Sequence, residues 1–165
     1  MTAETTIVEL PWWDLAEVAD QDAKVFGPTA WTIRYYWSVK AQNGTAMFMA
    51  RTVPTAGRGS GECGTTASAG ELAGWIVMSA TGAEADVMTI ATTEAARGKG
   101  IGRALLTAGL EWAEGRGAEV VHLEVDESNT GALGLYSSLG FEEWGRRPDY
   151  YAGAAAILMR VRISD

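Results

Sequence analysis

Glu124 and Tyr136 lie twelve positions apart in the segment HLEVDESNTGALGLYSSLGF. A carboxylate and a phenol brought together can act as base and acid. Strand alternation puts Val120, His122 and Glu124 on one face and Val121, Leu123 and Val125 on the other. Glu124 then falls near the C-terminal end of its strand, where open α/β sheets bind ligands. Spacing alone equally fits a plainer arrangement, a strand-end carboxylate in solvent and a packed tyrosine. His122 is the only histidine and Cys63 the only cysteine. One imidazole without companions makes no metal site, and a Ser-His-Asp triad could run only through His122. Cys63 has nothing basic beside it in sequence and is a poor nucleophile.

A second group of chemistry-bearing residues is RGKGIG, 97–102. Glycines let a phosphate approach the main chain, and free N–H groups at a helix N-terminus favour an anion. The stretch lacks the G-x-x-x-x-G-K-[ST] of a P-loop. Its G-x-G-x-G spacing at Gly98, Gly100 and Gly102 is not the dinucleotide fingerprint G-x-G-x-x-G either. Neither an ATPase nor a Rossmann dehydrogenase is supported. With Arg97, Lys99 and Arg103 around it, the loop reads as an anion site rather than a plain strand-to-helix turn.

These residues need strands and helices to hold them. TTIVEL (5–10) reads as a first strand. WWDLAEVADQDAKVF (12–26) follows as a helix, with Trp13, Ala16, Glu17 and Asp20 at helical spacing and Gly27-Pro28 as its break. Residues 29–42 read as a second helix, or two short ones, ended by Asn43-Gly44. A strand at 45–53 precedes the Gly/Ser/Thr-rich stretch 54–70, expected as a long mobile loop between paired strands. Strands follow at 71–81 and 85–92. Ile101, Leu105, Ala108 and Trp112 mark an amphipathic helix over 101–115. A strand at 119–125, a short helix at 130–140 closed by Gly140, and two closing strands complete the chain. The order predicts a mixed α/β (α+β) fold with a largely antiparallel sheet and a crossover helix. Residues 1–165 read as a single domain.

Composition narrows the function. Net charge is −8, which argues against a nucleic-acid surface. No apolar run approaches a membrane span, and no secretory signal is visible. With one cysteine there is no internal disulfide, which fits the cytoplasm. The seven tryptophans are expected in the core and lining a cleft.

Taken together, the segments resemble the GNAT family of acetyl-CoA-dependent N-acetyltransferases. Arg97-x-x-Gly100-x-Gly102 is similar to that family's pyrophosphate motif, [QR]-x-x-G-x-[GA]. IAT…RGKGIGRALL…LEV…SNTGALGLYSSLGF resembles the RimI type, the ribosomal-protein alanine N-acetyltransferases. The likeness is strongest over about residues 84–145.

The resemblance implies a GNAT-type fold with splayed central strands and acetyl-CoA in the opening between strands 85–92 and 119–125. Backbone groups of Ile90, Ala91 and Thr92 would pair with the pantetheine arm as an added strand would, and would supply the oxyanion donor. Main-chain N–H groups over Gly98, Lys99, Gly100, Ile101, Gly102 and Arg103 would hold the pyrophosphate, with Arg97, Lys99 and Arg103 nearby for charge. Asn129 would contact the cofactor through its side-chain amide. Glu124 would be the base and Tyr136 the acid, in direct attack within a ternary complex without metal. A buried carboxylate of raised pKa could take the ammonium proton, and an α-amine, with a pKa of about 8, yields it more readily than lysine. Trp31, Tyr150 and Tyr151 resemble substrate-lining positions, and Arg147-Pro-Asp-Tyr-Tyr is close to the family's R-x-x-Y-Y. Two departures concern the acceptor: AGAAAILM replaces the usual acidic pair before the last strand, and Thr93-Glu94 replaces an Asp-Pro.

The resulting expectation is transfer of acetyl to an N-terminal alanine, with a protein or peptide N-terminus as partner. Lysine side chains or small amines are the alternative acceptors. A non-catalytic CoA-binding module is the alternative of another class, and an RNA-associated scaffold is disfavoured by the charge.

Overall fold

The computed structural model describes residues 4–53, 70–151 and 153–164. Seven strands form one sheet in the order β1-β2-β3-β4-β5-β7-β6. They are β1 (Glu4–Glu9), β2 (Thr45–Val53), β3 (Glu71–Thr81), β4 (Glu84–Thr92), β5 (Val120–Asp126), β6 (Glu142–Tyr151) and β7 (Ala154–Arg162). The α-helices are α1 (Leu15–Phe26), α2 (Ile33–Lys40), α3 (Ile101–Gly115) and α4 (Thr130–Ser138). The strand and helix order matches the sequence expectation. The β2–β3 pair is antiparallel, as expected of the strands that flank the Gly/Ser-rich stretch. Residues 54–69 of that stretch, Cys63 among them, lie outside the described residues.

Both faces of the sheet are covered, so β3 is buried along almost its whole length. Ile76 and Met78 join Leu105, Leu106 and Ala113 of α3 in one core. Trp75 and Val77 join Leu15, Val18, Tyr36 and Val39 of α1 and α2 in the other. In α1 the buried positions are Leu15, Val18 and Asp22; Ala16, Glu17 and Asp20, cited above for their spacing, are exposed. Spacing identified the helix there but not its inward face.

Two glycines let α3 sit tightly on the sheet. A methyl group on Gly74 would come within 2.6 Å of the Ala91 carbonyl oxygen and 2.9 Å of Leu105 Cδ1. One on Gly109 would meet Met78 Sδ at 2.9 Å.

The tryptophans depart from expectation. Trp75 is fully buried, whereas Trp12, Trp13, Trp37 and Trp144 are about half exposed. Trp12 packs against Trp13 and Trp37 at the surface, with ring centres 5.4 and 6.1 Å apart. Their neighbouring positions on the short 3-10 turn and α2 leave the core to Leu15 and Tyr36.

Every strand pairing is antiparallel except β4 with β5. A parallel pair needs a crossover connection, and α3 provides it. The parallel register is short: Glu84, Ala85 and Asp86 pair with Val120, Val121 and His122, and no further. A bulge in β4 follows at once, since Val77 faces Thr89 while Met78 faces Val87. The extra residue bends the strand away, so β4 and β5 splay.

Candidate active site

Beyond Asp86, β4 pairs with β3 on one edge and leaves its other edge open toward β5. Ile90, Ala91 and Thr92 lie on this open stretch. They line a cavity of about 670 Å³ that also takes in Arg97, Gly98, Gly100, Ile101, Gly102 and Arg103. Asn129, Leu135 and Tyr136 close it from the side of α4. The strand edge, the glycine loop and the start of α4 are thus brought together around one opening. Lys99 is exposed on the same loop and is not part of the lining.

The loop has the local structure of an anion cradle. Gly98 and Gly100 adopt φ of 71° and 77°, which side chains rarely tolerate. A Cβ at either would meet no atom within 4 Å, so the main chain there faces open space. Gly100 is the N-cap of α3 and offers no side chain to its first-turn N–H groups. Those donors remain available to a ligand, at the positive end of a fifteen-residue helix. Gly102 serves packing instead: a methyl there would lie 3.2 Å from Leu135. Arg103 donates from Nη2 to Ser138 Oγ at 2.6 Å, tying α3 to α4. Asn129 uses its Oδ1 to cap α4, accepting from the Ala132 N–H at 3.2 Å, which leaves its NH2 as the group able to donate.

Tyr136 is buried, 7% exposed, with its ring 5.9 Å from Phe141. Glu124 lies on the other face of β5 from Val121, Leu123 and Val125, as alternation predicts. The expectation of a buried base is not met. The Glu124 side chain is 33% exposed and pairs with Arg147 Nη1 at 3.2 Å. Glu124 does not line the cavity, so the structure brings Tyr136 to the cavity wall and leaves Glu124 on the opposite face of β5.

Of the expected acceptor residues, Trp31 is half-buried between α1 and α2. Its main-chain N–H donates to Asp22 Oδ2 at 2.6 Å, and its ring stands 4.5 Å from Tyr35 and 5.3 Å from Tyr36. Asp22 is fully buried and also accepts from the Tyr36 hydroxyl at 2.9 Å. Burial pushes the Asp22 carboxyl above its usual value, against the pull of those two bonds. Burial, with the Asp22 charge beside it, pushes the Tyr36 phenol up as well. Tyr150 is exposed beside Arg147, whose guanidinium carbon is 5.8 Å from its ring centre. Tyr151 ends β6 opposite Ala154, and its side chain lies outside the described residues. Val25 and Phe26, at the end of α1, also line the cavity and were not anticipated. Their only sequence signal is their place just before Gly27-Pro28. Among the described residues no cluster of histidine, cysteine and carboxylates could hold a metal. No helix there is long and apolar enough to cross a membrane.

A split parallel pair beside a glycine-rich helix start is the arrangement that the resemblance to acetyltransferases implied. Residues 12–141 match the model of the Acetyltransferase (GNAT) family, and the chain belongs to that family. It is 43% identical over 99 residues to the N-alpha-acetyltransferase RimI of Mycobacterium tuberculosis, covering 56% of this chain and 61% of that one. It is 42% identical over 59 residues to the mycothiol acetyltransferase of Renibacterium salmoninarum, covering 36% of this chain and 18% of that protein. The chain therefore spans less than two thirds of the length of these relatives. The crystal structure of the ribosomal-protein-S18-alanine N-acetyltransferase from Escherichia coli superposes with a TM-score of 0.79 at 28% identity, over 98% of this chain and 96% of that one.

Proposed function

We propose that the chain is an acetyl-CoA-dependent N-acetyltransferase whose acceptor is a peptide α-amine, with an N-terminal alanine of a ribosomal protein as the specific target. The observation that carries the reading is the open β4 edge at Ile90–Thr92 leading to an uncapped glycine loop. The relatives named RimI and S18-alanine N-acetyltransferase support the acceptor class. Residues 1–165 act as one catalytic domain in this reading, and the cytoplasmic location expected from the sequence is kept.

The residues present fit acetyl-CoA. The open main chain at Gly98 and Gly100, with Arg97 beside it, suits a pyrophosphate. The unpaired edge suits an extended amide-bearing arm. When bound, acetyl-CoA supplies a thioester carbonyl open to direct attack. Ile90–Thr92 align the arm and present a backbone N–H to the oxygen that becomes negative. Glu124 takes a proton from the acceptor ammonium, freeing the nitrogen lone pair. The nitrogen, cationic once bonded to the carbonyl carbon, gives its second proton to water, and Tyr136 gives its phenolic proton to the sulfur as the carbon–sulfur bond breaks. The N-acetylated acceptor and CoA leave, and solvent returns the proton from Glu124 to Tyr136. Trp31 and Tyr150 line the acceptor side, and Tyr151 is assigned there from the sequence resemblance alone.

The test is an acetyl-CoA-dependent mass shift across Ala-, Ser- and Met-initiated peptides, with polyamines and aminoglycosides alongside. Faster turnover of an Ala-initiated peptide is expected. Turnover of small amines alone would overturn the peptide reading, and tight CoA binding without any turnover would overturn catalysis.

A further inference from the structure

Arg147 and Arg146 are adjacent in β6 but differently committed. Arg146 donates to both oxygens of Glu143, at 2.6 and 3.1 Å, and pairs with Glu127 at 3.5 Å. Arg147 has one carboxylate partner among the described residues, Glu124 at 3.2 Å. Other charged groups share that face of the sheet. On β5 they are His122 and Asp126; across the strands they are Arg160, Arg162, Glu142, Glu84 and Asp86. Three of them have neighbours of their own. Asp126 is bonded to Ser128, Arg160 lies over Trp144, and His122 lies 4.0 Å from Glu84.

An acceptor ammonium that gives its proton to Glu124 competes with Arg147 for the same carboxylate. The exchange is easy, because an exposed ion pair is weak and the Arg147 side chain is 54% exposed. The Tyr150 ring offers the displaced guanidinium a resting place. What remains beside the acceptor is a cation whose own partner has been taken.

We infer that Arg147 is a specificity-determining residue: displaced from Glu124 by the acceptor amine, it favours an acidic side chain next to that amine and disfavours a basic one. The acidic pair that could offset it is absent, since AGAAAILM occupies that place. The inference rests on Glu124 as the group that receives the acceptor's proton.

The experiment uses the full chain with acetyl-CoA and three Ala-initiated peptides that differ only in the second residue, Asp, Ala or Lys. In the wild type, kcat/KM for the Asp peptide should exceed that for the Lys peptide about fivefold, the scale of exposed charge pairs. Arg147→Gln should bring the ratio to about one, and Arg147→Lys should restore a preference for Asp. The ratio does not depend on how much of a variant is folded. A wild-type preference for Lys, a ratio unchanged in Arg147→Gln, or no recovery in Arg147→Lys overturns the inference. Should Arg147→Gln fail to fold, Arg147→Met takes its place in the same comparison. Glu124→Gln separates the two readings. Unchanged acetylation of the Ala-Ala peptide in that variant removes the base and the inference together. Lost acetylation with a ratio indifferent to Arg147 removes the inference alone.

Discussion

A group that takes a proton from an incoming ammonium needs access to solvent and acceptor, whereas a group that protonates a leaving sulfur can work from a packed wall. Glu124 and Tyr136 differ in this sense, one a third exposed on the outer face of β5 and the other buried in the cavity wall. Glu124→Gln and Tyr136→Phe keep shape while removing the proton chemistry. Each should lower kcat/KM for an Ala-initiated peptide by about 100-fold or more, as general acid–base groups do. The acetyl-CoA dissociation constant should stay nearly unchanged, because neither group is assigned to hold the pyrophosphate. Steady-state rates read beside calorimetric binding check this, and full activity in both variants would refute the catalytic assignment.

Among the elements, the pair β3–β4 carries the site. Gly74 faces Thr92 in register and lies against the Ala91 carbonyl, beside the backbone proposed to align the cofactor. Gly74→Ala has a backbone oxygen 2.6 Å from its new methyl and must push β3 from β4. Such overpacking should cost about 1–3 kcal/mol of stability. The same shift should raise the KM for acetyl-CoA. Thermal melts and cofactor titration test this, and an unchanged midpoint would show that the strands yield freely.

In the molecule as a whole, two buried charged groups fasten α1. Arg51 of β2 is 6% exposed, bonds both oxygens of Glu17 and pairs with Asp14 at 3.3 Å. Arg51→Ala removes the guanidinium that bonds Glu17 and pairs with the buried Asp14, and should cost about 3 kcal/mol, read from a urea transition. Asp22 acts through pH. Burial raises its carboxyl above the ordinary 3.8, so the native state keeps the proton longer than the unfolded chain. That contribution is full below about 3.8 and is lost as pH rises through the folded-state value. Relative to Asp22→Asn, the wild type should therefore lose stability as pH climbs from about 4, in melts run side by side. A gap that stays constant with pH would contradict it.

Much of this was legible locally. The periodicity at 101–115, the alternation in β5 and the Gly98–Gly102 spacing depend on neighbours close in sequence, and the structure follows them. The family resemblance rested on the same local segments. The inward face of α1 was not legible, because Leu15, Val18 and Asp22 are chosen by the sheet they meet. Nor were Val25 and Phe26 as cavity walls, since β4 and α1 are far apart in the chain. By itself the sequence determined the elements, their order and the chemistry each could carry. Tertiary structure alone decided that β4 parts from β5 after Asp86, that Tyr136 is enclosed, and that Glu124 stays in reach of Arg147. Those outcomes turn on one bulge and on pairings between distant strands, whose balance no local pattern contains.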